Sequence, residues 1–138
     1  MTQGNVGVVR EVVAAWNSHD LERWIACWDA DCEWLPKLRG AVEGSQTYQG
    51  HDGLRRYWAE DDAVWRHFHI EPHLIQEAGD EIVMCCTGSA RGKGSGVEID
   101  APLAFKFRVR NGTIVRGESY LDVEEAFAAA GIDPPDQP

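Results

Sequence analysis

The apolar positions of this chain follow two periods, helical spacing up to about residue 65 and alternation from there on. Val6, Val9, Val12, Val13 and Trp16 lie three or four apart and predict a helix over residues 5–17. Asn17-Ser18-His19-Asp20 breaks it, and Ser18 or Asp20 is placed to cap a second helix with the stripe Leu21, Trp24, Ile25 and Trp28. Residues 31–36 read as a short strand ended by Pro36, with Cys32 and Trp34 on its buried face. Residues 37–50 show no period and read as a loop long enough for a rim or lid. A third helix begins near His51-Asp52-Gly53, and its stripe is Leu54, Tyr57, Trp58, Asp61, Val64 and Trp65. Asp61 is the one acid on that stripe.

Strands follow at about 67–77, 81–91, 97–110 and 113–121, with turns at Gly79-Asp80 and across 91–96. The third of these alternates without a break through Val97, Ile99, Ala101, Leu103, Phe105, Phe107 and Val109. Asn111-Gly112 signals a hairpin. A three-residue loop, Arg110-Asn111-Gly112, pairs Phe107 with Val115, Phe105 with Gly117 and Leu103 with Ser119, and so keeps every charge off the apolar face. A two-residue loop pairs Phe107 with Arg116, Phe105 with Glu118 and Leu103 with Tyr120, and so places two charges on that face at several kcal/mol for each unpaired charge. The expected register therefore points Gly117 and Ser119 inward, and Glu118 and Tyr120 outward. A short helix over 123–130, ended by Gly131, closes the domain. The whole is one α+β domain over residues 1–132: three helices on one face of a curved, mostly antiparallel sheet, with 133–138 as a frayed tail. Such a roofed sheet leaves a cone suited to a small apolar ligand.

At 138 residues the chain buries a core without staples. Its net charge of −10 and lack of a basic patch argue against nucleic acid. No apolar run approaches a membrane span and no signal-peptide pattern opens the chain, so the expected compartment is the cytoplasm. Cys27, Cys32, Cys85 and Cys86 form no CxxC and read as reduced thiols. His67, His69 and His73 have no carboxylate or thiol at a metal-ligand spacing, so no metal is expected, and no cofactor motif is present either. The glycines of 92–96 lack the strand-to-helix context of a phosphate loop. Asp61 among tryptophans is the candidate acid or base, since desolvation raises a carboxyl pKa. The candidate ligand wall is Trp16, Trp34, Tyr57, Trp58, Cys86, Leu103, Phe105, Phe107, Gly117 and Ser119.

Four stretches, in order, carry a resemblance. They are Trp16-Asn17-Ser18-His19-Asp20-Leu21, Tyr48-x-Gly50-x-x-Gly53-Leu54-Arg55-x-Tyr57-Trp58, Gly79-Asp80-x-Ile82-Val83, and Asn111-Gly112-x-Ile114-Val115-Arg116-x-x-x-Tyr120-x-Asp122-x-x-Glu125-Ala126. Together they resemble the SnoaL-like branch of the nuclear-transport-factor-2-like superfamily over about residues 5–132. The resemblance implies a cystatin-like cone and a homodimer formed through the convex sheet face. It does not bring the family's catalytic sets. The ketosteroid-isomerase tyrosine, base and acid would fall near Val12, Leu35 and Ala104 or Phe105. The limonene-epoxide-hydrolase residues would fall at Cys32, Trp34, Cys86, Gly88 and Ser119. Three functions stay open: a binding protein for a small lipophilic or aromatic molecule, an acid/base enzyme (isomerase, cyclase, dehydratase or hydrolase type) using Asp61, and a non-catalytic interaction module whose pocket is filled by its own side chains.

Overall fold

A computed structural model of the chain describes residues 4–36, 47–66, 68–94, 96–120 and 122–131. Residues 37–46 of the expected 37–50 loop, His67, Ser95, the strand end at Leu121 and the tail lie outside them. The end of that loop is instead a two-residue strand at Tyr48–Gln49 and the first residue of the third helix at Gly50. Ten elements run in the order α1 (Gly4–Asn17), α2 (Leu21–Ile25), β1 (Trp28–Pro36), β2 (Tyr48–Gln49), α3 (Gly50–Val64), β3 (His69–Ala78), β4 (Glu81–Arg91), β5 (Glu98–Arg110), β6 (Thr113–Tyr120) and α4 (Val123–Ala130). The six strands form one sheet in the order β2-β1-β6-β5-β4-β3. All neighbours are antiparallel except β1 and β6.

The helical stripes follow the pattern except at the ends of the second and third. Val64 is 49% exposed, where the last turn of α3 has passed the edge of the core, and Trp65 lies beyond the helix in extended conformation. Val9, Val12, Val13 and Ala15 are the buried positions of α1. Asp20 caps α2 by accepting from the Arg23 amide. The helix stops at Ile25, however, so Trp28 is the first residue of β1 and not the last of the α2 stripe. Trp28 fits either period, because a helix and a strand starting there both point it inward. Cys32, Trp34 and Pro36 follow on the same buried alternation. Asn17 ties α1 to the sheet: its amide donates to the Ile70 carbonyl at 2.8 Å and accepts from the Ile70 amide at 2.9 Å. That supplies partners on the open edge of β3.

The β5–β6 hairpin keeps the expected faces but not the expected pairs. Arg110 pairs with Thr113, so the loop is the two residues Asn111-Gly112, both at positive φ (54° and 82°). A bulge at Val115 then shifts the register, and Phe107 faces Gly117 while Phe105 faces Ser119. The bulge does what a third loop residue was expected to do. It restores the parity that keeps Arg116 and Glu118 off the apolar face.

The sheet has a core on each side. Most buried side chains lie between α1–α3 and the concave face. On the other face α4 covers a smaller cluster of Val83, Ala104, Tyr120, Ala126 and Phe127. Tyr120 and Glu118 do point away from the first three helices, yet both are buried. A row of charges crosses the strands beside them. Lys106 meets Glu81 at 3.5 Å and Glu118 at 3.1 Å, Arg108 meets Glu81 at 2.9 Å, and Arg116 bridges Glu118 at 3.2 Å to Glu33 at 2.6 Å.

Candidate functional site

The concave core closes around a cavity of about 60 Å³. Its roof is Val12, Val13 and Trp16 of α1, Trp24 of α2 and Tyr57 of α3; its floor is Trp28, Trp34, Ile70, Met84, Phe105 and Phe107 from the strands, with Phe68 at the β3 end. Period-2 geometry sets the floor, since Phe105 and Phe107 share one face of β5. Their rings lie 5.8 Å apart and 3° from parallel, and Trp34 stacks on Phe105 at 6.1 Å. Trp28 meets Trp34 edge to face at 5.8 Å, and Trp24 meets Trp28 likewise at 5.7 Å. Trp16 is latched to the strand side by donating its indole N–H to the Phe68 carbonyl.

Gly117 explains why this floor can exist. A Cβ there would sit 2.8 Å from Trp28 Cη2 and 3.0 Å from Trp34 Cε3. The missing side chain opposite Phe107 is thus space taken by two indoles from β1, not space left for a ligand. Ser119 is fully buried opposite Phe105 and beside Pro36.

Two polar atoms in this region stand out. Trp28 Nε1 and Trp34 Nε1 are buried and have no hydrogen-bond partner among the described residues. A buried donor left unmet costs about 1–3 kcal/mol, and native interiors contain few of them.

Asp61 is buried at 8% exposure, as its place on the α3 stripe predicts. It does not stand on the cavity wall. It lines a small neighbouring crevice with His19, Asp62 and Trp58, and the crevice shares only Trp16 and Phe68 with the cavity. His19 stacks on Trp58 at 5.1 Å, and its Nε2 lies 3.0 Å from Asp62 Oδ1. The backbone of His19 is left-handed (φ 58°) where α1 ends, a conformation that disfavours side chains with a Cβ.

Of the expected ligand wall, the fold brings Trp16, Trp34, Tyr57, Phe105 and Phe107 to the cavity. Trp58 belongs to the crevice. Cys86, Leu103, Gly117 and Ser119 are buried in the surrounding core without lining the cavity. Sequence reasoning left out Trp24, Trp28, Phe68, Ile70, Met84 and the α1 valines as wall residues; Val12 and Val13, four and three before Trp16, were the readable signal. It also left out His19 beside Asp61, which only the tertiary fold brings together. His51 turns inward and bonds the Trp28 carbonyl at 2.9 Å, and His73 bonds Thr87 at 2.6 Å. Among the described residues no three His, Cys, Asp or Glu side chains are grouped to hold a metal ion. All four cysteines are free thiols. Burial pushes Cys27 and Cys32 up to about 11 and Cys86 to about 12, which leaves them unreactive at neutral pH. No helix is long and apolar enough to cross a membrane among the described residues.

A two-layer cone, six strands roofed by three helices over an aromatic cavity, defines the nuclear-transport-factor-2-like class. The model of the SnoaL-like domain matches residues 9–117, and the chain belongs to that family. Solved structures agree on the fold. A nuclear-transport-factor-2-like protein of unknown function from Burkholderia pseudomallei is 23% identical, with 92% of this chain and 97% of that one covered and a TM-score of 0.79. A ketosteroid-isomerase-like protein from Catenulispora acidiphila, in complex with trimethylamine, is 20% identical over 100% of both chains with a TM-score of 0.74. A putative polyketide cyclase from Pseudomonas putida is 14% identical, covering 88% of this chain and 93% of that one, with a TM-score of 0.75. No curated protein matches the chain.

Proposed function

We propose that this SnoaL-like domain binds a small lipophilic or aromatic molecule inside the cone. The carrying observation is the cavity, whose wall is aliphatic and aromatic side chains with almost no polar surface. Similar proteins include putative polyketide cyclases and one crystallised with trimethylamine, which agrees with a cone that takes small organic molecules. The cavity is smaller than the roughly 150 Å³ that admits benzene in an engineered protein core. A ring therefore displaces part of the wall, and the unbranched Met84 is the side chain best suited to move. Binding only the folded state stabilises it by mass action. Benzene and toluene near saturation in buffer are expected to raise Tm by a few degrees. Absence of any shift, together with no change in tryptophan fluorescence, would overturn the reading in favour of a self-filled interaction module.

A second reading is acid/base turnover by Asp61, favoured by its burial beside His19 and Asp62. It requires the carboxylate to act past Trp16 and Phe68 on a molecule in the cavity. Benzene is inert to it, so pyridine is the probe. If Asp61 reaches the ligand, Asp61→Asn changes pyridine affinity and its dependence on pH. Equal affinities for both proteins at pH 6 and pH 8 remove that reading.

We also propose that two copies pair through the sheet face that carries the charge row, and that the assembly works in the cytoplasm without nucleic acid or membrane.

A further inference from the structure

The two unmatched indoles stand on one strand and one wall. Trp28 and Trp34 are 3% and 4% exposed, and among the described residues neither Nε1 has a partner. The third indole whose bond is known, that of Trp16, donates to the Phe68 carbonyl. The contrast is informative, because buried donors in folded proteins are almost always met. An indole nitrogen donates and cannot accept. Both rings present six-membered-ring carbons to Gly117, Cη2 from Trp28 and Cε3 from Trp34. Their pyrrole edges, which carry the N–H groups, are therefore the parts farther from Gly117. Among the described residues the wall of the cavity carries no charged side chain, so an anion there would be buried without a counter-ion from them. It is also almost wholly carbon, so a donor on the ligand finds little to bond.

We propose, resting on the binding reading above, that the cavity takes a neutral, flat molecule whose polar atoms accept hydrogen bonds and do not donate them. A ring nitrogen, a ketone or an ether oxygen satisfies this, and Trp28 Nε1 and Trp34 Nε1 are its donors. The pair sets both orientation and selectivity. An acceptor placed beside the indoles satisfies groups that a pure hydrocarbon leaves unmet, and a ligand carboxylate is rejected.

Benzene and pyridine test this at pH 8, where pyridine is neutral: they have the same size and differ by one acceptor. In full-length protein labelled with ¹⁵N-tryptophan, pyridine is expected to move indole N–H resonances downfield, and benzene is not. Trp28→Phe and Trp34→Phe keep a ring and remove the donor. Pyridine has one lone pair and accepts from one indole at a time, so at least one of the two variants is expected to weaken it about tenfold relative to benzene, the loss of one net hydrogen bond. If both probes bind, but pyridine moves no indole resonance and the pyridine-to-benzene ratio is unchanged in the variants, the donor proposal falls and the binding reading stands. Indole cross-peaks to a long-lived water that pyridine does not displace overturn it as well, since water then meets the donors. If neither probe binds, the binding reading itself has failed. Should a variant not fold, the wild-type resonances decide alone.

Discussion

Gly117 is where a single residue controls the site. Any Cβ at this position meets Trp28 and Trp34 within 3.0 Å, and both rings are held by neighbours on their other sides. Gly117→Ala is therefore an overpacking change, expected to cost about 1–3 kcal/mol in urea unfolding, with a change in near-ultraviolet circular dichroism as the indoles shift. A neutral substitution would mean that the cavity absorbs the displaced ring. The sequence showed a small residue opposite a large one. It could not show whether the gap was packed or open, because the filling rings come from β1, about eighty positions away. Asp61 was legible as a position on the helix stripe, either inside or on a wet rim, and its burial depends on Trp16, His19 and Phe68 from outside that helix. His19 was not, because a break between helices carries no sign of what it will stack on.

At the scale of elements, the alternation of β5 was enough to assign both faces of the hairpin, and it left the pairing open. A three-residue loop and a two-residue loop with a bulge restore the same parity, and a bulge leaves no mark in an apolar pattern. The outward face, with Glu118 and Tyr120, was expected to be the convex face through which two copies pair. The structure makes it a second core with a charge row, because α4 folds over it and Glu118 ends up buried. Burial pushes the Glu118 carboxyl up. The hydrogen bonds from Lys106, Tyr120 and Arg116 and the charge of Lys106 outweigh that, and its pKa ends below the ordinary carboxylate value. A carboxylate whose pKa is lower folded than unfolded contributes stability above its unfolded value, about 4.3, and that contribution disappears as pH falls through the folded value. Glu118→Gln leaves Lys106 with Glu81 alone and Arg116 with Glu33 alone. It is expected to cost about 1–3 kcal/mol at pH 7, less than breaking an isolated buried ion pair because each cation keeps one carboxylate, and clearly less at pH 3. Denaturant titrations at the two pH values check this. An equal cost at both would show that Glu118 acts through packing or its bond to Tyr120, not through charge.

For the whole molecule, the same charge row bears on how two copies meet. The chain carries a net charge of −10. The row itself holds Glu33, Glu81 and Glu118 with Lys106, Arg108 and Arg116, three of each sign, already paired within one copy. It is thus a neutral patch on an acidic body, a face two copies can bring together without adding to their mutual repulsion. A two-fold contact is self-complementary, so each residue near the axis meets its own counterpart or a close neighbour. Because the six charges are satisfied internally, few new ion pairs form across the axis, and salt acts mainly by screening the repulsion of the two bodies. Between 0.01 and 0.1 M salt the screening length falls from about 30 to about 10 Å. Dimerisation is therefore expected to tighten over that range, whereas an interface held by ion pairs would loosen. Arg108, about a third exposed and paired with Glu81, is the member to reverse. Arg108→Glu puts uncompensated negative charge on both sides of the contact and should shift the protein to monomer while leaving benzene binding in the distant cone unchanged. Sedimentation velocity at tens of micromolar, with and without salt, reads both effects. A wild-type protein that stays monomeric throughout would remove the dimer, and one that dissociates as salt rises would move its interface to a face held by charge.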